Sequence, residues 1–243
     1  MALKSLILAA GRGKRMGEFC DENNKCLFEL EGRPVIEYSL ECSVKICSPE
    51  ILIVVGYQAE KIIQRCGNSY KGVPIKYIFQ AEQKGLVHAI ECAKEALKDE
   101  GFMLMLGDEL MINPRHLEMI NKYYDENLFS LCGIIHVEDE SLIKGTYAVL
   151  EEENNIIYRL IEKPIKPLNN IMGTGNCIFK NEILGYINKT PVNPKRGEKE
   201  LVDMIQCAID DGHRIKSFPI CDRYFNINSP IEIEEANSYF SHP

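Results

Sequence analysis

Positive charge is in deficit. The 243-residue chain carries 28 Lys and Arg against 36 Asp and Glu, a formal net charge of −8. That balance argues against nucleic acid as the main partner. No apolar run approaches the roughly 18 residues of a membrane span, and the N-terminus enters a strand without a signal-peptide pattern. The 10 cysteines are scattered, with no Cys-x-x-Cys and no Cys/His cluster of zinc spacing. Cys42, Cys92 and Cys207 fall among helical residues, and Cys132 and Cys177 in apolar strands. Buried free thiols in a reducing cytoplasm are the expectation, without a catalytic cysteine. The 5 histidines form neither His-Glu-x-x-His nor a triad pattern. Low-complexity linkers, charge blocks and internal repeats are also missing, so nothing divides the chain.

What is present is an alternation of apolar runs with amphipathic segments, the α/β pattern. Strands are expected at 3–9, 51–55, 75–79 and 102–106, and helices at 34–44, 59–66 and 85–97. Pro34 would sit in its helix's first turn, and Leu86, Ala89, Ile90, Ala93 and Leu97 would share one buried face. Pro114 should open the next helix. The second half turns to hairpins, with strands at 131–137, 146–150 and 156–161. A short helix at 182–187, an amphipathic one at 199–211 stopped by Gly212, a strand at 215–219 and a terminal helix at 231–240 complete the reading.

The first strand ends in Leu6-Ile-Leu-Ala-Ala-Gly-Arg-Gly-Lys-Arg-Met-Gly17. Gly11 and Gly13 let the backbone pass close to a ligand, and successive amide groups there can form an anion-binding nest. Arg12, Lys14 and Arg15 make a polyphosphate the natural anion, and a turn at the end of such a strand lies where open α/β sheets bind ligands. A P-loop would end in Gly-Lys-Ser/Thr, and there is none. A dinucleotide fingerprint needs glycine where Met16 stands and a following strand ending in Asp or Glu, whereas 51–55 runs into Gly-Tyr.

Leu-Ala-Ala-Gly-Arg-Gly-Lys-Arg-Met, continued by Lys25 and a strand-turn-proline at 28–34, resembles the signature of the nucleoside triphosphate:sugar-1-phosphate nucleotidyltransferases. The resemblance spans nearly the whole chain. It implies a Rossmann-like three-layer α/β fold, a mixed sheet flanked by helices, of the nucleotide-diphospho-sugar transferase type. Residues 1–127 would form a nucleotide-binding half, and 128–243 a sugar-phosphate-binding half with the C-terminal helix. It further implies that the loop, including Leu8, Ala10, Gly11 and Gly13, wraps the triphosphate while Arg15 and Lys25 stabilise the reacting phosphates.

Later stations follow in order. Gln80 to Ile90 lies between a strand and its helix; a carboxamide can pair with a base edge, and Gly85 permits close approach. It resembles the base-reading station of the same enzymes, most closely the glucose-1-phosphate uridylyltransferases; His88 reads as a packing residue. Asp108, at the end of a central strand, is a natural ligand for a phosphate-bridging Mg²⁺, with Glu109 a second choice. Glu162-Lys163-Pro164 offers a carboxylate for sugar hydroxyls and an ammonium for the sugar phosphate. With Tyr147 and the segment Gly173-Thr-Gly-Asn176, it resembles the family's sugar half, making Gly175 and Asn176 candidates.

In Arg223-Tyr-Phe-Asn-Ile-Asn-Ser-Pro230, Asn226 stands where the family shows a metal-binding aspartate, and Asn228 where it shows glycine. An amide oxygen still coordinates Mg²⁺ without adding charge, and Asn228 can adopt the left-handed conformation of a glycine.

The expected reaction joins UTP or dTTP to glucose-1-phosphate, with CTP and GTP open. The alternatives are a cytidylyltransferase acting on a non-sugar phosphate and a non-catalytic nucleotide-sugar binder. Homo-oligomerisation stays open.

Overall fold

The computed structural model describes residues 3–13 and 24–241. Lys14, Arg15, Met16 and Gly17 of the basic loop lie outside the described residues.

Among the described residues, ten strands share one sheet in the order β10-β11-β13-β9-β12-β7-β1-β4-β6-β5, with the two-residue β5 (Ser69–Tyr70) at one edge. Its first part is parallel: β1 (Lys4–Ala9) lies between β4 (Ile51–Val55) and β7 (Phe102–Leu106), and β6 (Val73–Phe79) flanks β4. β1, β4 and β7 are buried along nearly their whole length because both faces are covered, whereas β6 exposes Pro74, Lys76 and Phe79. Leu6, Leu8, Leu52 and Val54 pack on one side with α3 (Leu86–Cys92) and α5 (Leu201–Asp210). Ile7, Ile51, Ile53 and Met103 pack on the other with α1 (Ile36–Lys45), α2 (Ala59–Cys66) and α4 (His116–Asp125). The result is the three-layer α/β arrangement.

The second half adds β9 (Ser130–His136), β10 (Tyr147–Glu152), β11 (Ile156–Glu162), β12 (Ile171–Phe179) and β13 (Ile215–Pro219). β12 runs antiparallel to β7 and β9, and this makes the sheet mixed. It also changes partner along one edge. Gly173 pairs with Tyr147 of β10, whereas Cys177 pairs with Leu104 of β7. Thr174 to Asn176 fall in the gap, at a register shift against β9.

Several boundaries differ from expectation. Helix α1 begins at Ile36 because Pro34 belongs to a tight hairpin, β2 (Glu29–Leu30) with β3 (Arg33–Pro34), turned by Glu31 and Gly32 at φ 53° and 69°. Two left-handed residues suit the twist of a two-residue hairpin. Residues 114 and 115 precede α4, and residues 181–186 form a 3-10 helix. Leu86 is exposed, and Val87 takes the core position beside Ala89, Ile90, Ala93 and Leu97. Two short strands escaped the sequence pattern: β8 (Glu109–Ile112) pairs antiparallel with β14 (Arg223–Asn226), setting Asn226 opposite Glu109. An apolar cluster under this ladder, with Leu30, Leu110, Phe225 and Ile227, seats the terminal helix α6 (Pro230–Ser241) through Ala236.

Among the described residues, no helix is long and apolar enough to cross a membrane. Nine described cysteines are free; Cys42, Cys132 and Cys177 are buried, while Cys92 and Cys207 are half-buried and Cys47 is exposed.

Candidate functional site

A cleft of about 790 Å³ opens where the parallel strands end. Leu8, Ala10, Gly11 and Gly13 border it as β1 gives way to the basic loop. Gly13 takes φ 60°, a conformation that favours glycine. Asn24, fully buried, ties the end of β1 to the residues that follow β4. Its Nδ2 donates to the carbonyls of Ala9 (3.0 Å) and Tyr57 (2.9 Å), and its Oδ1 accepts from the Cys26 amide (3.0 Å). Lys25 is thereby presented to the cleft.

Asp108 follows β7, is largely buried and lines the cleft. Its carboxylate pairs with the Lys25 ammonium, which also donates to Asn228 Oδ1 at 2.7 Å. Asn228 Nδ2 donates in turn to Asn226 Oδ1. The Ile227 amide donates to the Asp108 carbonyl at 2.9 Å and locks the two segments together. Asn228 does not take the left-handed conformation, contrary to expectation; its side chain, which a glycine would lack, serves the cluster instead. Its backbone amide and the Ser229 hydroxyl both donate to Glu232 of α6 (2.8 and 3.0 Å). One carboxylate and two amide oxygens converge here, and phosphate oxygens could complete an octahedral shell, so the donor set fits Mg²⁺. Among the described residues, no cluster of three or more His, Cys, Asp or Glu forms a metal cage on its own.

Gln80 is buried after β6, and its Nε2 lies 3.1 Å from the Gly85 carbonyl and 2.9 Å from His88 Nδ1. His88 therefore orients the carboxamide. Gly85, at φ 89°, opens α3, and a Cβ there would come within 2.9 Å of Glu198 Oε2 across the cleft. Leu86 is exposed because it lines this cleft.

On the opposite wall, Glu162 Oε1 pairs with Lys163 Nζ at 2.9 Å and with Arg196 Nη1 at 3.4 Å. Lys163, at φ 43°, turns the chain out of β11, and its amide donates to the Thr146 carbonyl at 2.8 Å. Arg196 also meets Glu200 (3.0 Å) and Glu198 (3.9 Å). Burial, with the Glu162 charge beside it, raises the Glu200 carboxyl above its ordinary range. Sequence reasoning missed this 193–200 turn, whose signal was a lone Arg-Gly-Glu after two prolines. A guanidinium held among carboxylates is poised to exchange them for a phosphate.

The gap in β12 forms the floor between these walls. The buried Tyr147 hydroxyl donates to the Thr174 carbonyl (2.9 Å), and its ring fills the space a Gly173 side chain would need. Gly175 borders the cleft over Leu106. Asn176 does not border it, which corrects its expected place. Successive strand residues face opposite ways, and its side chain turns below to Glu109 and His116. Glu109, the second-choice metal ligand, lies beside Asp108 and also borders the cleft. Its carboxyl, 4% exposed, accepts from Gly175 N (2.9 Å), Tyr224 Oη (2.6 Å) and Asn176 Nδ2 (2.6 Å). Burial pushes it up to about 8; the Asp108 charge adds to this, against these hydrogen bonds. Burial also holds the His116 imidazole below its ordinary range.

Known proteins share this chain's sequence and fold. It matches the nucleotidyl transferase family over residues 4–224. It is 30% identical to the UTP–glucose-1-phosphate uridylyltransferase AglF of Haloferax volcanii, over 96% of this chain and 95% of that protein. It is also 30% identical to the bifunctional protein GlmU of Methanocaldococcus jannaschii, covering 98% of this chain but 54% of that one. A UDP-glucose pyrophosphorylase solved with UDP-glucose superposes with a TM-score of 0.89 at 22% identity, over 100% of both chains, a likeness of fold.

Proposed function

The chain belongs to the nucleotidyl transferase family, and from that premise we propose that it joins a nucleoside triphosphate to a sugar-1-phosphate, releasing pyrophosphate and a nucleotide-sugar. UTP with glucose-1-phosphate is the favoured pair, after the uridylyltransferase relative. Residues 1–127 serve the triphosphate and 128–243 the acceptor, as two halves of a single domain.

A sugar-phosphate oxygen attacks the α-phosphorus in line, and the bond to the β-phosphate's bridging oxygen breaks. The attacking phosphate is already anionic at neutral pH, so no general base is needed. Catalysis rests on alignment and on cations placed where charge develops. Lys25 and Arg15 hold the triphosphate, the loop amides cradle it, and Gln80 and the Gly85 backbone read the base. Glu162 takes sugar hydroxyls, while Lys163 and Arg196 take the acceptor phosphate. Asp108 with the amide oxygens of Asn226 and Asn228 would hold Mg²⁺, which when bound supplies further neutralisation at the phosphates. Free cysteines and nucleotide substrates suit the cytoplasm.

The observation that carries the reading is the meeting of Lys25, Asp108 and the 226–228 amides in one cleft with Lys163 and Arg196. The test is pyrophosphate release with Mg²⁺, for UTP, dTTP, CTP and GTP against glucose-1-phosphate, other sugar-1-phosphates and phosphocholine. Release with UTP and glucose-1-phosphate is expected. Nucleotide-sugar affinity without release from any pair would make the chain a binder, and release with phosphocholine alone would move it to the non-sugar class.

A further inference from the structure

Thr174 to Asn176 lie where β12 leaves β10 for β7, and side chains replace the missing ladder. The Tyr147 hydroxyl takes the Thr174 carbonyl, Thr174 Oγ1 donates to the Gly133 carbonyl at 3.0 Å, and the Gly175 amide donates to Glu109 Oε1 at 2.9 Å. We propose that Glu109 is a positioning residue for the acceptor: by holding the Gly175 amide it sets the floor on which the sugar-phosphate lies, and so governs acceptor affinity without governing triphosphate affinity. The inference rests on the proposed reaction and assigns Glu109 a part in it.

Glu109 is built into this place from below. Its carboxyl receives donors from β12 and β14, and Asn176 passes the contact on to His116 Nε2 at 2.7 Å. Three donors hold this carboxyl: Oε1 takes the Gly175 amide and the Tyr224 hydroxyl, and Oε2 takes Asn176 Nδ2. Gly175 must be glycine because Leu106 and Glu109 Oε1 occupy the space of its Cβ. Without Glu109 the Gly175 amide would be buried and unpaired, and the segment would have to shift to find a partner.

The triphosphate side is supported independently. Asn24 ties the end of β1 to Tyr57, and His88 orients Gln80. The β8–β14 ladder and its apolar cluster hold Asn226, so loss of the Tyr224 contact alone leaves β14 in place.

Glu109→Leu, Glu109→Asp and Glu109→Gln separate these roles. Acceptor KM and kcat come from pyrophosphate release, triphosphate Kd from calorimetry on the same preparations, and folding from thermal melts. Leu cannot accept the Gly175 amide, and Asp is one methylene too short to reach it. Both should raise acceptor KM at least about tenfold while triphosphate Kd stays within about twofold. Gln should restore wild-type KM, since its carbonyl can accept from Gly175 and Tyr224 while its amide donates to a flipped Asn176. If the Leu protein does not fold, the Asp protein decides. Unchanged acceptor KM in Leu or Asp, or a triphosphate Kd that weakens in step, would overturn the assignment. A wild-type chain that releases no pyrophosphate with any sugar phosphate would instead sink the proposed function, and this inference with it.

Discussion

Replacing Lys25 with methionine should strengthen binding of a divalent cation in the absence of nucleotide while weakening binding of the triphosphate. The ammonium sits against Asp108 and Asn228, where a cation would look for its protein ligands, and the two side chains are only 16% and 9% exposed. If the ammonium stayed while a divalent ion arrived about 4 Å away, their repulsion at an effective dielectric of about 20 would be about 8 kcal/mol. The ion must therefore wait until phosphate oxygens draw Lys25 off Asp108. Removing the charge lifts this obstacle, and even a fraction of it surviving solvent screening, about 1.4 kcal/mol, is tenfold in affinity. Mn²⁺ titration followed by the loss of the free-ion EPR signal measures this directly. Wild type should bind Mn²⁺ well only with UTP present, whereas Lys25→Met should bind at least about tenfold tighter than wild type without it. Equal nucleotide-free affinity in the two proteins would refute the reasoning.

Other outcomes follow from the same geometry. Gly175→Ala pushes a methyl group onto Leu106 and within 2.7 Å of Glu109 Oε1. Overpacking of about 1–3 kcal/mol should lower the melting temperature by about 2–12 °C for a chain of this size, and an unchanged melt would contradict the packing described. Arg196→Ala should raise KM for the sugar phosphate by about 10–100-fold with little change in triphosphate affinity, read from steady-state kinetics. His116 is held neutral by burial. The unfolded chain takes up a proton near its ordinary pKa of about 6.5 that the native state refuses, so this residue's contribution to stability is full above that pH and declines below it. Urea midpoints from about pH 7.5 to about pH 5 should fall less steeply in His116→Gln than in wild type.

What could be read ahead of the structure was local. The glycine turn after β1, Gln80, Asp108 and the Glu162–Lys163 pair each lie at a strand end, within a short stretch whose residue types declare their chemistry. Glu109, Asn176 and His116 could not be read that way, because separations of 60 and 67 residues are closed only by the sheet. Asn176 shows the difference most clearly. Its neighbour Gly175 faces the cleft, so strand alternation alone sends Asn176 to the opposite face; the glycine-rich composition carries no strand pattern from which that alternation could be read. Leu86 fitted a helical stripe, but the stripe's first turn hangs over the cleft and not over the core. The β8–β14 ladder was hidden for another reason: each member has only four residues, too few for periodicity to show.

The change of partner along β12 has a consequence for how the chain is made. Until Cys177 reaches Leu104, about seventy residues after it, the outer edge of β7 has unpaired amides and carbonyls along an apolar strand. Such an edge recruits other strands. Synthesis halted near residue 127 would release a half-sheet with its edge strand β7 bare, prone to aggregate and not to wait as a nucleotide-binding module. The late segment thus acts as the cover that lets the early one survive outside the ribosome, and the second half shields the first as much as it extends it.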